Sequence, residues 1–312
     1  MSNTQESAAD VTIRPLTEKD FEAVVALDRR ITGTMRRGYF EQRLKAALRQ
    51  PKRHMQLAAT TKTGLVGFVL ARAAGGEYGR QEEVLALESL GVDPDVQHAG
   101  LGRRMMSELE ALGRARGIES VVTQVEWRDH RMIHFLDGAK FTLAPLQILE
   151  RRVHRMPLPE TDEEIEKQPP LVRQLREGDL EMVSRIDRLV TGRDRTEYLK
   201  RKVDEVLHES AIAVSLVAED DGFVVAFAMV RVDFGNYGHV EPTASLDTIG
   251  VNPGFSHKGF ARGILTQMID NLSALHVERL ETEVARDNFE LLRFLYRFGF
   301  GPSQRLPFFR KL

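Results

Sequence analysis

Displaced by 159 residues, the chain matches itself. "TIRPLTEKDFEAVVALDRRITG" (Thr12–Gly33) falls on "LVRQLREGDLEMVSRIDRLVTG" (Leu171–Gly192), and ten of the 22 pairs are identical, among them Arg14/Arg173, Asp20/Asp179, Asp28/Asp187 and Gly33/Gly192. Chance gives about one or two such pairs at ordinary residue usage. The same displacement pairs Tyr39 with Tyr198, Arg72 with Arg231, Tyr78 with Tyr237, Gly100 with Gly259 and Phe141 with Phe300. A constant displacement over so long a span means two homologous domains, and the period is too long for a solenoid. Between them, "MPLPETDEEIEKQPPL" is rich in proline and acid and reads as a linker. The predicted partition is a disordered tail over 1–10, a domain over 11–155, a linker over 156–170 and a second domain over 171–312.

Each copy carries the same alternation of patterns. "VTIRPL" and "PLVRQL" read as short first strands. "EKDFEAVVALDRRI" spaces Phe21, Val24, Val25 and Leu27 as a helix does, with Glu18 and Asp20 favouring its first turn. "HMQLAATT", "LVGFVLARAA" and "EVLALESLGV" alternate or run apolar between turn residues, as strands do. Leu101, Met105, Leu109 and Leu112 form an i, i+4 row on a helix that ends near Gly117. "SVVTQVE" is a buried strand, "DHRMIHFLDGAKF" a short helix and "LAPLQILERRV" a last strand region. The fold class is α/β with a mixed sheet, twice over.

With 42% hydrophobic and 29% charged residues, the chain has the apolar mass for real cores. No apolar run approaches the roughly 20 residues of a membrane span, so no membrane role is expected. A net charge of −2 gives no electrostatic support to nucleic-acid binding. Cysteine is absent, which removes disulfides, thiolate metal sites and cysteine nucleophiles. The polar start lacks the regions of a signal peptide, and a cytoplasmic location is the expectation. His130 and His134 stand four apart on a predicted helix without an evident third ligand, so no metal is expected. Oligomeric state is open.

The most informative element is "VDPDVQHAGLGRRMMSEL" (Val92–Leu109), which returns as "VNPGFSHKGFARGILTQM" (Val251–Met268). A strand that ends in Gly-x-small before a helix points free backbone N–H groups at one spot, where the helix dipole adds partial positive charge. Phosphate or pyrophosphate binds well there. The competing reading is a tight structural turn. Neither copy has the GxxxxGK[ST] of a P-loop or the GxGxxG of a dinucleotide fingerprint.

"QHAGLG" (Gln97–Gly102) resembles the [RQ]-x-x-G-x-[GA] motif of the GCN5-related N-acetyltransferases. "SHKGFA" (Ser256–Ala261) matches except for Ser256. "VARDNFELLRFLYRFGF" (Val284–Phe300) is similar to the family's second signature of strand, Asn and a helix carrying Tyr before Gly-Phe. The first copy has Asp129 and Asp137 where Asn288 and Tyr296 stand. The resemblance covers nearly the whole chain. It implies an acetyl-CoA donor, an amine acceptor (a small molecule or a protein), and a pyrophosphate cradle in each half. In the first half the resemblance assigns Gln97, His98, Ala99, Gly100, Leu101, Gly102 and Arg103 to that cradle, with Leu90 and Val92 on the pantetheine. In the second half it assigns His257, Lys258, Gly259, Phe260 and Ala261 to the cradle, Ile249 and Val251 to the pantetheine, and Asn288 of the second signature to the cofactor as well.

Acetyl transfer to an amine needs a base for the amine, polarisation of the carbonyl and a proton for the leaving thiolate. A bulged, splayed strand with exposed N–H groups supplies the second. The resemblance makes Tyr296 the acid, against a competing role in an aromatic cluster with Phe294, Phe298 and Phe300. Glu88 and Asp247 occupy matching strand positions where the family's bases often lie, against a competing role as salt-bridged carboxylates. Since only the second half carries the tyrosine, the C-terminal domain is favoured as the catalyst. The alternative is a catalytically silent acyl-CoA sensor or interaction module. The acceptor side is implied to be "ITGTMRRGYFEQRL" and "VTGRDRTEYLKRKV", with Tyr39, Tyr198, Arg36 and Arg195.

Overall fold

The computed structural model describes residues 11–80, 82–97, 100–153, 170–204, 214–233 and 242–312. The tail 1–10 and most of the predicted linker lie outside the described residues. The first half runs β1 (Thr12–Pro15), α1 (Phe21–Thr32), α2 (Arg37–Arg49), β2 (His54–Thr61), β3 (Gly64–Ala74), β4 (Val84–Val92) and α3 (Leu101–Ala115). It continues with β5 (Ser120–Glu126), α4 (His130–Gly138), β6 (Thr142–Leu143) and β7 (Leu146–Arg152). The second half runs β8 (Leu171–Gln174), α5 (Leu180–Thr191), α6 (Thr196–Asp204), β9 (Leu216–Asp220), β10 (Phe223–Asp233), β11 (Thr243–Val251) and α7 (Phe260–Ala274). It closes with β12 (Arg279–Ala285), α8 (Phe289–Arg297), β13 (Gly301–Pro302) and β14 (Arg305–Lys311). Among the described residues, no helix is long and apolar enough to cross a membrane.

The recurring identities of the first helices are structural ties. Arg14 forks onto Asp20 at 2.8 and 2.7 Å, and Arg173 forks onto Asp179 at 2.7 and 2.8 Å. Both carboxylates also accept from the backbone three residues earlier, at Thr17 and Arg176, which fixes the entry into α1 and α5. Gly33 and Gly192 end those helices in the left-handed region, at φ 74° and 70°. Asp28 and Asp187 are buried and paired with Arg36 and Arg195, which hold the loops into α2 and α6.

Two mixed seven-stranded sheets result, in the orders β1-β2-β3-β4-β5-β14-β6 and β8-β9-β10-β11-β12-β7-β13. The halves have exchanged strands. The last strand of the second half, β14, pairs antiparallel with β5 from Arg305↔Glu126 to Lys311↔Ser120. The last strand of the first half, β7, pairs with β12 from Arg279↔Arg152 to Ala285↔Leu146. Side chains follow the strands. Phe308 of β14 is buried in the first domain's core with Leu85, Met105, Leu109, Leu136 and Phe141. Leu149 of β7 is fully buried in the second domain's core with Leu246, Ile264, Met268, Leu280 and Leu295. Burying each such side chain contributes roughly 1.5–3 kcal/mol, so neither domain has a complete core without the other half. On the opposite face of the first sheet, Phe68 and Leu70 meet Val24, Leu27, Tyr39 and Phe40 of α1 and α2. That face positions α1 and α2.

Candidate active site

The sheet opens at its centre in both domains. β4 and β5 run parallel but pair only at Leu85↔Val121 and Ala86↔Val122. β11 and β12 pair only from Thr243↔Arg279 to Ser245↔Glu281. At the fork a hydroxyl replaces the missing ladder bond: Thr123 Oγ1 donates to the Leu87 carbonyl and Thr282 Oγ1 to the Leu246 carbonyl, each at 2.8 Å. Beyond the fork, β4 and β11 continue with one edge unpaired by β5 and β12. Leu90 and Val92, like Ile249 and Val251, are half-buried there against the cores.

The fork coincides with a β-bulge on the other edge. β3 pairs Leu70 with Ser89 and Ala71 with Leu87, so Glu88 is the extra residue. β10 pairs Met229 with Thr248 and Val230 with Leu246, so Asp247 is the extra residue of the second domain. A bulge re-aims the side chain it carries. Both carboxylates are buried, but their partners differ. Glu88 Oε1 takes Arg43 Nη1 at 3.0 Å and Arg72 Nε at 3.2 Å. Asp247 Oδ2 takes Lys202 Nζ at 3.2 Å, with Arg231 Nε at 4.0 Å, while its Oδ1 has no hydrogen bond from the described residues. Tyr39 donates to the Glu88 carbonyl at 3.3 Å, and burial raises its hydroxyl to about 12. Tyr198, its counterpart, is also buried, but its hydroxyl has no hydrogen-bond partner among the described residues.

The strand ends differ in how they are secured. Asp93 and Asn252 each accept from the amide two residues on, at 3.0 and 3.1 Å, and so turn the chain out of the sheet. Arg30 of α1 clamps Asp93 and Asp95 in the first domain, whereas Leu189 stands exposed at the matching place in the second. Gln97 Nε2 donates to the Val92 carbonyl at 2.9 Å. Gly100 and Gly259 then cap α3 and α7 in the left-handed region, at φ 78° and 85°. Among the described residues, a Cβ at either would meet nothing within 4 Å. Neither helix has an acid in its first turn, which leaves the partial positive charge of the N-terminus unopposed.

The remaining cradle candidates separate by environment. His98 and Ala99 lie outside the described residues. Leu101 and Phe260 point into the cores, so only their backbone faces the loop. A Cβ at Gly102 would stand 3.0 Å from the Phe135 ring, whereas Ala261 carries one. Arg103 packs towards Gly138 of α4. His257 sits in the left-handed region at φ 61°, and Lys258 Nζ lies 4.6 Å from the centroid of the Phe255 ring.

Asn288 caps α8 by accepting from Leu291 N at 3.2 Å, and Asp129 caps α4 in the same way at 3.0 Å. Tyr296 is exposed and accepts a hydrogen bond from Gln147 Nε2 of the exchanged strand β7 at 2.9 Å. Phe294 and Phe298 pack on one another at 4.6 Å without it.

One group of residues escaped sequence reasoning. The β3–β4 turn of the first domain, Gly75 to Arg80, docks into the second domain. The Gly75 and Gly76 carbonyls accept from Arg201 Nη2 at 2.8 Å and Arg195 Nη1 at 2.6 Å. Arg80 pairs with Glu283, which also accepts from Gln124 Nε2 at 2.6 Å. Glu77 is buried between Arg72 Nη1, at 3.0 Å, and Lys202 Nζ, at 3.7 Å. Burial works to raise the Glu77 carboxyl, but Arg72, Lys202, Arg231 and Arg80 outweigh it and hold the group below the usual carboxylate range. Burial raises the Tyr78 and Tyr198 hydroxyls, and Asp247 raises both further. The equivalence of Arg72 with Arg231 and Tyr78 with Tyr237 was the one trace of this turn in the repeat.

No curated protein matches the sequence. Over 96% of its length the chain superposes on a structure titled as a GCN5-related glucosamine N-acetyltransferase region in a fungal multi-domain GH3 β-N-acetylglucosaminidase, with TM-score 0.69 and 15% identity. It spans 38% of that larger chain. A GCN5-related N-acetyltransferase from Sphaerobacter thermophilus matches 98% of the chain and 96% of its own, with TM-score 0.68 and 14% identity. A tandem GNAT protein from the clavulanic acid biosynthesis pathway matches 96% and 98%, with TM-score 0.65 and 15% identity. At such low identity the superpositions show a shared fold, over nearly the whole chain, and nothing more. The sequence itself matches the acetyltransferase (GNAT) family twice, over residues 21–140 and 181–300. With a forked sheet, a bulge and a glycine-capped helix in each half, the chain belongs to the acetyltransferase (GNAT) family as a tandem, two-domain member.

Proposed function

We propose that the protein is an N-acetyltransferase that uses acetyl-CoA and an amine acceptor, and that the C-terminal domain carries the chemistry. The observation that carries the acyl-CoA part is the pairing of a forked strand with an open, left-handed glycine at a helix N-terminus, present twice. Those features fit a pyrophosphate-bearing thioester: backbone amides for the phosphates, and the unpaired edge of β4 or β11 for an extended arm. When bound, acetyl-CoA supplies the activated acetyl group.

The choice of domain rests on the two bulge carboxylates. Glu88 is clamped by two guanidinium groups, whereas Asp247 keeps Oδ1 without a hydrogen bond. Asp247 is the base that takes a proton from the amine as the C–N bond forms. Tyr296 gives a proton to the thiolate as the C–S bond breaks. Gln147 donates to the Tyr296 oxygen, so the phenolic proton is uncommitted. A positioned acid is worth about 10²–10⁴-fold in rate. The sensor reading draws on the Lys202–Asp247 pair, which occupies one oxygen of the carboxylate.

The test is thiol release from acetyl-CoA over a library of amines. Turnover is expected, with Tyr296→Phe and Asp247→Asn each lowering kcat by about 10²-fold at unchanged CoA affinity. Thermal stabilisation by CoA without turnover of any amine would favour the sensor. Calorimetry should find a CoA site in each half. Gly100→Val and Gly259→Val should each remove their own site alone, because a β-branched residue is strained at that φ. Retention of both sites in both variants would make these glycines mere turns.

A further inference from the structure

Among the described residues, three buried side chains around Lys202 of the second domain each carry a polar atom without a hydrogen bond: Glu77 at Oε2, Asp247 at Oδ1 and Tyr198 at its hydroxyl. Glu77 and Asp247 are each 2% exposed and Tyr198 is 5% exposed. Lys202 Nζ lies 3.7 Å from Glu77 Oε1 and 3.2 Å from Asp247 Oδ2, so each carboxylate turns its other oxygen elsewhere. Leaving a buried acceptor unsatisfied is costly, and more so when it is charged. Three buried residues around one lysine, each with a polar atom that the described residues leave unsatisfied, mark a site suited to hydrogen-bonding atoms brought from outside. Glu77 belongs to the first half and the other two belong to the second.

The turn that delivers Glu77 is held rigidly. Gly76, at φ 85°, lies so close to the Tyr198 ring that a Cβ would stand 2.2 Å from it. Tyr78 takes the left-handed region at φ 55°, an unfavourable place for a bulky residue. The backbone is thus pressed onto Tyr198 and fixed by Arg195 and Arg201 of the second domain.

We propose that the acceptor pocket of the C-terminal domain is composite, with Glu77 of the N-terminal half as a positioning residue for a primary amine held between Glu77 Oε2 and Asp247 Oδ1. A neutral primary amine has two N–H donors and one lone pair. Two unsatisfied carboxylate oxygens match the donors and leave the lone pair for the acyl carbon. Lys202 and Arg231 already offset the two negative charges, so the pocket suits the free amine rather than the ammonium ion. Tyr198 offers a third contact to a polar group next to the amine.

This inference rests on the acetyltransferase reading for its purpose, but amine binding can be tested without catalysis. Calorimetry on the full chain at pH 9 would use n-butylamine, glycinamide and 1,4-diaminobutane as probes, with n-butanol as the control lacking an amine. At least one amine is expected to bind, at least tenfold more tightly than butanol. Glu77→Gln should weaken that amine at least tenfold and leave CoA affinity unchanged. Tyr198→Phe, which leaves every charge in place, should weaken glycinamide about threefold and decides the matter should Glu77→Gln fail to fold. Failure of all three amines to bind, or unchanged affinity in the folded variants, would overturn the composite pocket. Thiol release separates the two readings. Amine binding lost in Glu77→Gln but no turnover in the wild type would keep the pocket and sink the acetyltransferase. Turnover with an amine KM indifferent to Glu77→Gln would do the reverse.

Discussion

Asp28 and Asp187 show how a residue repeated in both halves can serve the fold rather than the reaction. Each is buried and tied to an arginine eight positions on, and so sets the angle between the first two helices of its domain. The bulge carboxylates diverge instead: equivalent positions, Glu88 and Asp247, have different partners because Lys202 stands where the first half has Arg43. His54, half-buried on β2 beside Glu88, adds a pH response. Burial and the neighbouring Arg72, Arg43 and Arg53, against the opposing pull of Glu88, lower its imidazole from 6.5 to about 4. Above pH 6.5 the ring is neutral in both states and contributes nothing. As the pH falls from there to about 4, the unfolded chain takes a proton that the folded chain refuses, and stability is lost. The loss should reach about 2–3 kcal/mol. Urea unfolding at pH 7 and pH 4.5 measures it; His54→Gln should remove that share of the difference, and an unchanged pH dependence would refute the assignment.

At the level of elements, the exchanged strands make each sheet depend on the other half. β14 covers β5 along its length and brings Phe308 into the first core. Deleting Leu306–Leu312, which keeps the Arg305 that pairs with Glu281 of β12, should therefore loosen the first domain, though the deleted residues follow the second in sequence. Amide exchange at Val121–Val125 should accelerate by about 10²-fold, corresponding to roughly 2–3 kcal/mol of lost burial and pairing. β12, still covered by β7, should keep its protection. Equal loss in both strands would mean that the two domains unfold together. The elements themselves were legible. β-strand alternation, the i, i+4 row of α3 and the glycine stop after it all appear where their patterns predict, because period and capping are local properties of the chain.

For the whole molecule, the two halves are joined by more than the segment between them. Two exchanged strands, the Arg80–Glu283 pair and the docked Gly75–Arg80 turn cross the boundary. Cutting the chain at a protease site introduced within Met156–Pro170 should leave both pieces together in gel filtration, and they should part only in denaturant. Separation in native buffer would contradict the exchange.

The sequence alone determined that there are two domains, that each is a mixed α/β sheet with a glycine-capped helix after its central strand, and that the chain resembles the N-acetyltransferases. These follow from the 159-residue displacement and from patterns that each segment carries within itself. Tertiary structure alone decided which sheet takes β7 and which takes β14. The two strands are copies of one element facing copies of one edge, so local preference is the same for either pairing and only the complete fold distinguishes them. It also decided that Glu77 meets Asp247 and Lys202. That contact spans the domain boundary, between residues that no shared period or motif connects, and burial of charge at a distance in sequence leaves no local mark.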